Sequence, residues 1–104
     1  MITVIIPTLN EEENVANVIK FAKQYSLVTE VLVVDDKSID NTVRIAQDSG
    51  ARVITSTRIG KGGSMREGVM FATNEVVVFL DADINPYPHF TIKLLTEPIL
   101  QGGA

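Results

Sequence analysis

Four short runs of β-branched and aliphatic residues divide the chain: Ile2 to Ile6, Val31 to Val34, Arg52 to Thr55 and Val76 to Leu80. The last of these is five consecutive apolar residues that stop on Asp81-Ala82-Asp83. An unbroken apolar run of that length reads as a strand buried on both faces, the kind a parallel sheet contains. The segments between the runs have helical periodicity instead. Val15, Val18, Ile19 and Ala22 fall at i, i+3, i+4 and i+7 and predict an amphipathic helix ending near Tyr25. Strands that alternate with helices imply right-handed crossovers and one parallel sheet covered on both faces. The expected class is α/β with sheet order 3-2-1-4, and ligands bind in such folds outside the carboxyl ends of the strands at the switch point.

Local signals place the remaining boundaries. Pro7 is expected to close the first strand, and Thr8 and Asn10 each have a Glu three residues on, the capping-box spacing. Lys37 to Asn41 is polar turn chemistry, with Asp40 placed to cap a helix through Ser49 and Gly50 as its C′ residue. A third helix is expected from Ser64 to Thr73, with Met65, Val69 and Ala72 on one face. Gly68 lies on that face, where a missing side chain lets helix and sheet approach. Pro86 and Pro88 mark a turn before a last helix, His89 to Leu100, and Gln101 to Ala104 follows it.

Composition narrows the setting. A chain of 104 residues is one domain or part of one and buries roughly 60–70% of its unfolded surface. A net charge of −4 argues against an electrostatic nucleic-acid binder, and the absence of cysteine excludes disulfides and thiolate metal sites. No stretch approaches the roughly 18 apolar residues of a membrane span, and the start lacks the pattern of a secretory leader. The expected setting is cytoplasmic.

The 3-2-1-4 order gathers Pro7 to Glu11, Asp35-Asp36 and Asp81 to Asp83 at one crevice. Asp81 and Asp83 would aim at one point if extended geometry persists to Asp83, with Ala82 keeping the space between them open. Like charges this close repel by about 1 kcal/mol in water and more at lower effective dielectric, so a cation is the natural neutraliser. Two hard oxygen donors with room for phosphates suit Mg²⁺ or Mn²⁺.

Gly60-Lys61-Gly62-Gly63 fits neither familiar phosphate loop. A Walker loop needs Gly where Thr55 stands and Ser or Thr where Gly62 stands, and a dinucleotide fingerprint would follow the first strand directly. A mobile loop carrying Lys61, flanked by Arg58 and Arg66, that closes over phosphates is the expectation. His89 reads as a surface or helix-start residue, and Glu12 and Glu13 as charges suited to a helix N-terminus.

Taken together, these segments resemble the donor-binding half of a GT-A glycosyltransferase of the family 2 type. The resemblance is carried by Pro7-Thr8-Leu9-Asn10-Glu11-Glu12, by Val34-Asp35-Asp36-Lys37-Ser38-Ile39-Asp40-Asn41-Thr42, by Gly60-Lys61-Gly62 with Arg66-Glu67-Gly68, and by Asp81-Ala82-Asp83 as a DXD motif. It covers essentially the whole chain, 1–104, and implies a Rossmann-like half that binds a nucleotide-diphospho-sugar. Asp81 to Phe90 with Glu97-Pro98-Ile99-Leu100 is also similar to retaining synthases of glucosyl- or mannosyl-3-phosphoglycerate. In those synthases Ser tends to stand at the position of Asp36, so here this chain follows the broad family.

The resemblance implies that Pro7, Thr8, Leu9, Asn10 and Glu11 frame the base and ribose, and that Asp36 and Lys61 also contact the nucleotide. It implies that Asp81 and Ala82 touch the sugar nucleotide, and that Asp83, with Asp81, binds Mg²⁺ or Mn²⁺. A UDP- or GDP-sugar would be the donor. The acceptor is open, and the catalytic base is expected in an acceptor half that is not within Met1 to Ala104. A donor-binding module without catalysis is the competing expectation, and an apolar edge left open by a half-fold would favour homo-oligomers.

Overall fold

A computed structural model describes residues 1–57, 60–84 and 86–100. Its elements alternate as β1 (Ile2–Thr8), α1 (Val15–Lys23), β2 (Val28–Asp35), α2 (Thr42–Asp48), β3 (Arg52–Thr55), α3 (Gly60–Phe71), β4 (Val76–Phe79) and α4 (Thr91–Leu100). The four strands form one parallel sheet in the order β3-β2-β1-β4, as expected. Among expected features on undescribed residues, Arg58, Asn85 and Gln101 to Ala104 lie outside the described residues.

The pleat sorts the core into two layers. Ile2, Val4, Ile6, Val31, Val33 and Val78 pack with Val15, Val18, Ile19 and Ala22 of α1, Ala46 of α2 and Ile92 of α4. Ile5, Leu32 and Val34 face the other way, with Val77, Phe79 and Ala72, beneath α3. The α1 face predicted from spacing is the buried one.

Several boundaries differ from expectation, each for a physical reason. β1 runs through Pro7 to Thr8. Ile5 O accepts from Leu80 N on the β4 side and Thr8 O from Asp36 N on the β2 side. The missing N–H of Pro7 therefore faces the side where β4 has ended at Phe79, and no ladder bond is lost. Neither Thr8 nor Asn10 caps α1, which starts at Val15 with no side-chain cap, so Glu12 and Glu13 precede the helix. Thr8 is engaged with Asp35 at the end of β2 and Asn10 with the loop after it. Asn41 holds the N-cap position of α2, and Asp40 accepts from Thr42 N and from Glu12 N, joining two loops. Gly50 is the C′ residue as expected, at φ +90°.

The largest correction concerns Gly60 to Gly63. It is no loop: it is the first turn of α3, despite three glycines that each cost up to about 1 kcal/mol of helix stability. Its inward face is Ser64, Glu67 and Gly68 in place of Met65 and Val69. Glu67 turns inward because its carboxylate accepts from Ser56 Oγ, Thr57 N and Thr57 Oγ1, tying the helix to the segment before it. Gly68 does let helix and sheet approach: a Cβ there would lie 2.6 Å from Ile5 Cγ2 and 3.3 Å from Val34 Cγ2. The last helix starts at Thr91, whose N–H and Oγ1 both donate to Pro88 O.

Gly68→Ala should lower unfolding free energy by about 1–2 kcal/mol in denaturant titration. Overpacking against the fully buried Ile5 costs ~1–3 kcal/mol and exceeds the helix-propensity gain of up to ~1 kcal/mol.

Candidate functional site

The strand ends are held in place by one buried carboxylate. Asp35, 1% exposed at the end of β2, accepts from Thr8 Oγ1 (2.8 Å), Ser38 N (2.8 Å) and Ser38 Oγ (2.6 Å). Ser38 Oγ in turn accepts from Asn10 N, and Asn10 Oδ1 accepts from Ile39 N. Glu11 N donates to Thr42 Oγ1, and that hydroxyl donates to Asp40. Asn10 and Lys37 stand at φ +54° and +59°, turning each chain sharply at the strand end. Asp35 was expected beside the other carboxylates in the crevice; it serves this hydrogen-bonded frame instead.

Above the frame lies a cleft of about 280 Å³. Pro7, Thr8, Leu9 and Glu11 line it from β1 and the residues after it, and Asp36 from the end of β2. Asp81 and Asp83 contribute from beyond β4, and Gly60, Lys61 and Ser64 from the first turns of α3. Eight of the expected site residues are thus brought together, seven of them from strand ends as the 3-2-1-4 order requires. Asn10 and Ala82 do not line the cleft. The Asn10 amide is spent on the frame, and the Ala82 methyl is 2% exposed within the α1 layer.

Extended geometry does not persist to Asp83. β4 ends at Phe79, and Asp81 to Ile84 is a turn in which Ile84 N donates to Asp81 O. Tyr87 supports it: its hydroxyl accepts from Asp81 N (2.7 Å) and donates to Asp81 O (3.0 Å), while its ring stacks on Phe21. Burial raises the pKa of that hydroxyl, keeping it a neutral donor. Only its place between Pro86 and Pro88 distinguishes Tyr87 in the sequence, and nothing there marks Ser64. His89 is exposed and outside the cleft.

Two close pairs of charged side chains lie in the cleft, one of opposite and one of like charge. Lys61 Nζ forms an ion pair with Asp81 Oδ1, a hydrogen bond that raises the lysine's pKa. Glu11 is raised to about 7 by burial, then by its hydrogen bond to Asp83 and the charge of Asp83. A proton shared between two carboxyls is the cheapest way to keep them in contact. Among the described residues, no three Asp, Glu or His side chains converge to hold an ion unaided.

Chains of known character are similar to this one in sequence and fold. The model of the glycosyl transferase family 2 domain matches residues 3–104. Glucosyl-3-phosphoglycerate synthase of Mycobacterium tuberculosis is 37% identical over 112 aligned positions, taking in 97% of this chain and 34% of the relative. A 4,4'-diaponeurosporenoate glycosyltransferase of Staphylococcus haemolyticus is 36% identical over 90, covering 80% of this chain and 24% of the relative. The crystal structure of the mycobacterial synthase with Mn²⁺, UDP and glucosyl-3-phosphoglycerate superposes at a TM-score of 0.86, with 34% identity, over 96% of this chain and 39% of that one. The chain thus spans a quarter to two-fifths of the length of these relatives.

The raised Glu11 fixes the sign of one pH effect. Between 4.5 and about 7 the folded carboxyl keeps a proton that the unfolded chain releases, so this group's stabilisation is full below 4.5 and is lost as pH rises through 7. Glu11→Gln should therefore show a smaller fall in melting temperature between pH 5 and pH 8 than the parent chain; superimposable pH profiles would contradict the assignment.

Proposed function

This chain belongs to glycosyl transferase family 2, and we propose that it is the donor-binding part of a metal-dependent glycosyltransferase using a UDP-sugar. The single observation that carries the reading is the convergence of Pro7, Glu11, Asp36, Lys61, Asp81 and Asp83 on one cleft at the strand ends. The mycobacterial relative, whose fold this chain shares, has been solved with UDP, UDP-glucose and either Mn²⁺ or Mg²⁺.

The donor set fits such an ion. Asp83 is exposed, its carboxylate lies against Glu11, and Asp81 stands across the turn. Ions of this class take one or two carboxylates and complete their shell with phosphate oxygens and water, which is why no closed three-residue cage is required. Asp83 and Asp81 would hold Mn²⁺ or Mg²⁺, which supplies Lewis-acid neutralisation of the leaving diphosphate. Lys61, now paired with Asp81, lies within the same cleft and can exchange that carboxylate for a phosphate. Pro7, Thr8 and Leu9 present an apolar wall to the nucleoside, and Asp36 a hydrogen-bond acceptor.

Acceptor recognition and any catalytic base belong, in this reading, to parts of the relatives that the match does not cover. The similarity to the mycobacterial synthase makes a small phosphorylated acid the first acceptor to try. Exposed Phe90, Leu94 and Leu95 on and before α4 favour association with a further subunit or copy, and a cytoplasmic setting is part of the same proposal.

Calorimetric titration with UDP and GDP, with and without Mn²⁺, tests it. UDP binding should strengthen with Mn²⁺, GDP should bind more weakly, and Asp83→Ala should cost about tenfold or more of the Mn²⁺-dependent affinity. Binding of neither nucleotide would end the proposal, and unchanged affinity in Asp83→Ala would remove that residue from the site.

A further inference from the structure

Ser64 is 1% exposed, lines the cleft, and its Oγ is the buried side-chain oxygen that has no hydrogen-bond partner among the described residues. The hydroxyls at other helix and cap positions are partnered: Ser49 Oγ donates to Ile45 O, Thr96 Oγ1 to Ile92 O, Thr91 Oγ1 to Pro88 O and Thr42 Oγ1 to Asp40. Ser64 makes no such bond to Gly60. A buried hydroxyl left unpaired is a standing cost that a ligand can relieve.

The place of Ser64 follows from the register. α3 runs antiparallel to the strands: Gly60 lines the cleft at their carboxyl ends, whereas Phe71 O accepts from Arg52 near the opposite end. Gly68, one turn after Ser64, lies against Ile5 and Val34. One helical turn is about 5.4 Å and two strand residues about 6.6 Å. Ser64 therefore lies level with Pro7 and Asp36, two residues beyond Ile5 and Val34 on the same face. These are the residues that the proposed function assigns to the nucleoside.

We propose that Ser64 Oγ hydrogen-bonds the nucleoside of the bound nucleotide, beside Asp36. A carboxylate acceptor and a neighbouring hydroxyl donor match the adjacent N–H and C=O groups of uracil; guanine carries the same pair at N1 and O6, so the two residues would discriminate against cytosine and adenine. The inference rests on the donor-binding reading above.

The test compares UDP, UMP and pyrophosphate, each with Mn²⁺, on the parent chain and on Ser64→Ala. UDP and UMP should each bind about tenfold more weakly to the variant and pyrophosphate equally well. The melting temperature of the unliganded variant should be unchanged or higher, because the methyl group needs no partner. Undiminished UDP affinity overturns the inference. So does an equal loss for pyrophosphate, which would move the hydroxyl to the diphosphate, or a lowered unliganded melting temperature, which would make its role structural. If the parent chain binds none of the three, the donor-binding reading fails, and the inference fails with it.

Discussion

The Asp35 carboxylate is the constraint on which the cleft depends. Taking a charge out of water is costly unless donors replace the solvent, and Thr8 and Ser38 supply three here. Because those donors come from β1 and from the loop after β2, satisfying Asp35 fixes both strand ends together. The relay continues through Ser38 to Asn10 and through Asp40 and Thr42 to Glu11 and Glu12, so the wall carrying Glu11 is positioned by hydrogen bonds and not by packing. The polar motif after β2 consequently divides into two jobs. Asp35, Ser38, Asp40 and Thr42 build the frame, and Asp36 faces the cleft.

Electrostatics within the cleft follow from the same crowding. A cluster of carboxylates needs neutralising, and a cation was the expected means. The fold has two internal devices as well: a proton between Glu11 and Asp83, and Lys61 on Asp81. A bound metal diphosphate would compete with both, since the ion takes the carboxylates and the phosphates take the lysine. Ligand affinity should thus include the release of these internal partners.

Helix α3 joins frame and cleft. Its glycine-rich start is a poor helix former in isolation, yet Lys61 clasps Asp81, Glu67 holds Ser56 and Thr57, and Gly68 seats the helix on Ile5 and Val34. Tertiary contacts override local propensity there. The arrangement delivers Lys61 and Ser64 to the same row as Pro7, Asp36 and Asp81.

Apolar runs and helical spacing, with cap and turn residues, were enough for the eight elements, because buried strands, amphipathic helices and turns leave separable local patterns; the general rule for doubly wound sheets then supplied the 3-2-1-4 order and the meeting of strand ends. Gly50 and Gly68 were legible for a similar reason: each is needed for a local backbone or contact demand that no other residue meets as cheaply. Contacts between segments distant in the chain settled the rest. They turned Asp35 inward, drew Asn10 and Ala82 out of the cleft, bent Asp81 to Asp83 into a turn under Tyr87, and made a helix of Gly60 to Gly63. No spacing rule encodes such outcomes, since each depends on which donors, acceptors and apolar surfaces the folded chain places within a few ångströms of one another.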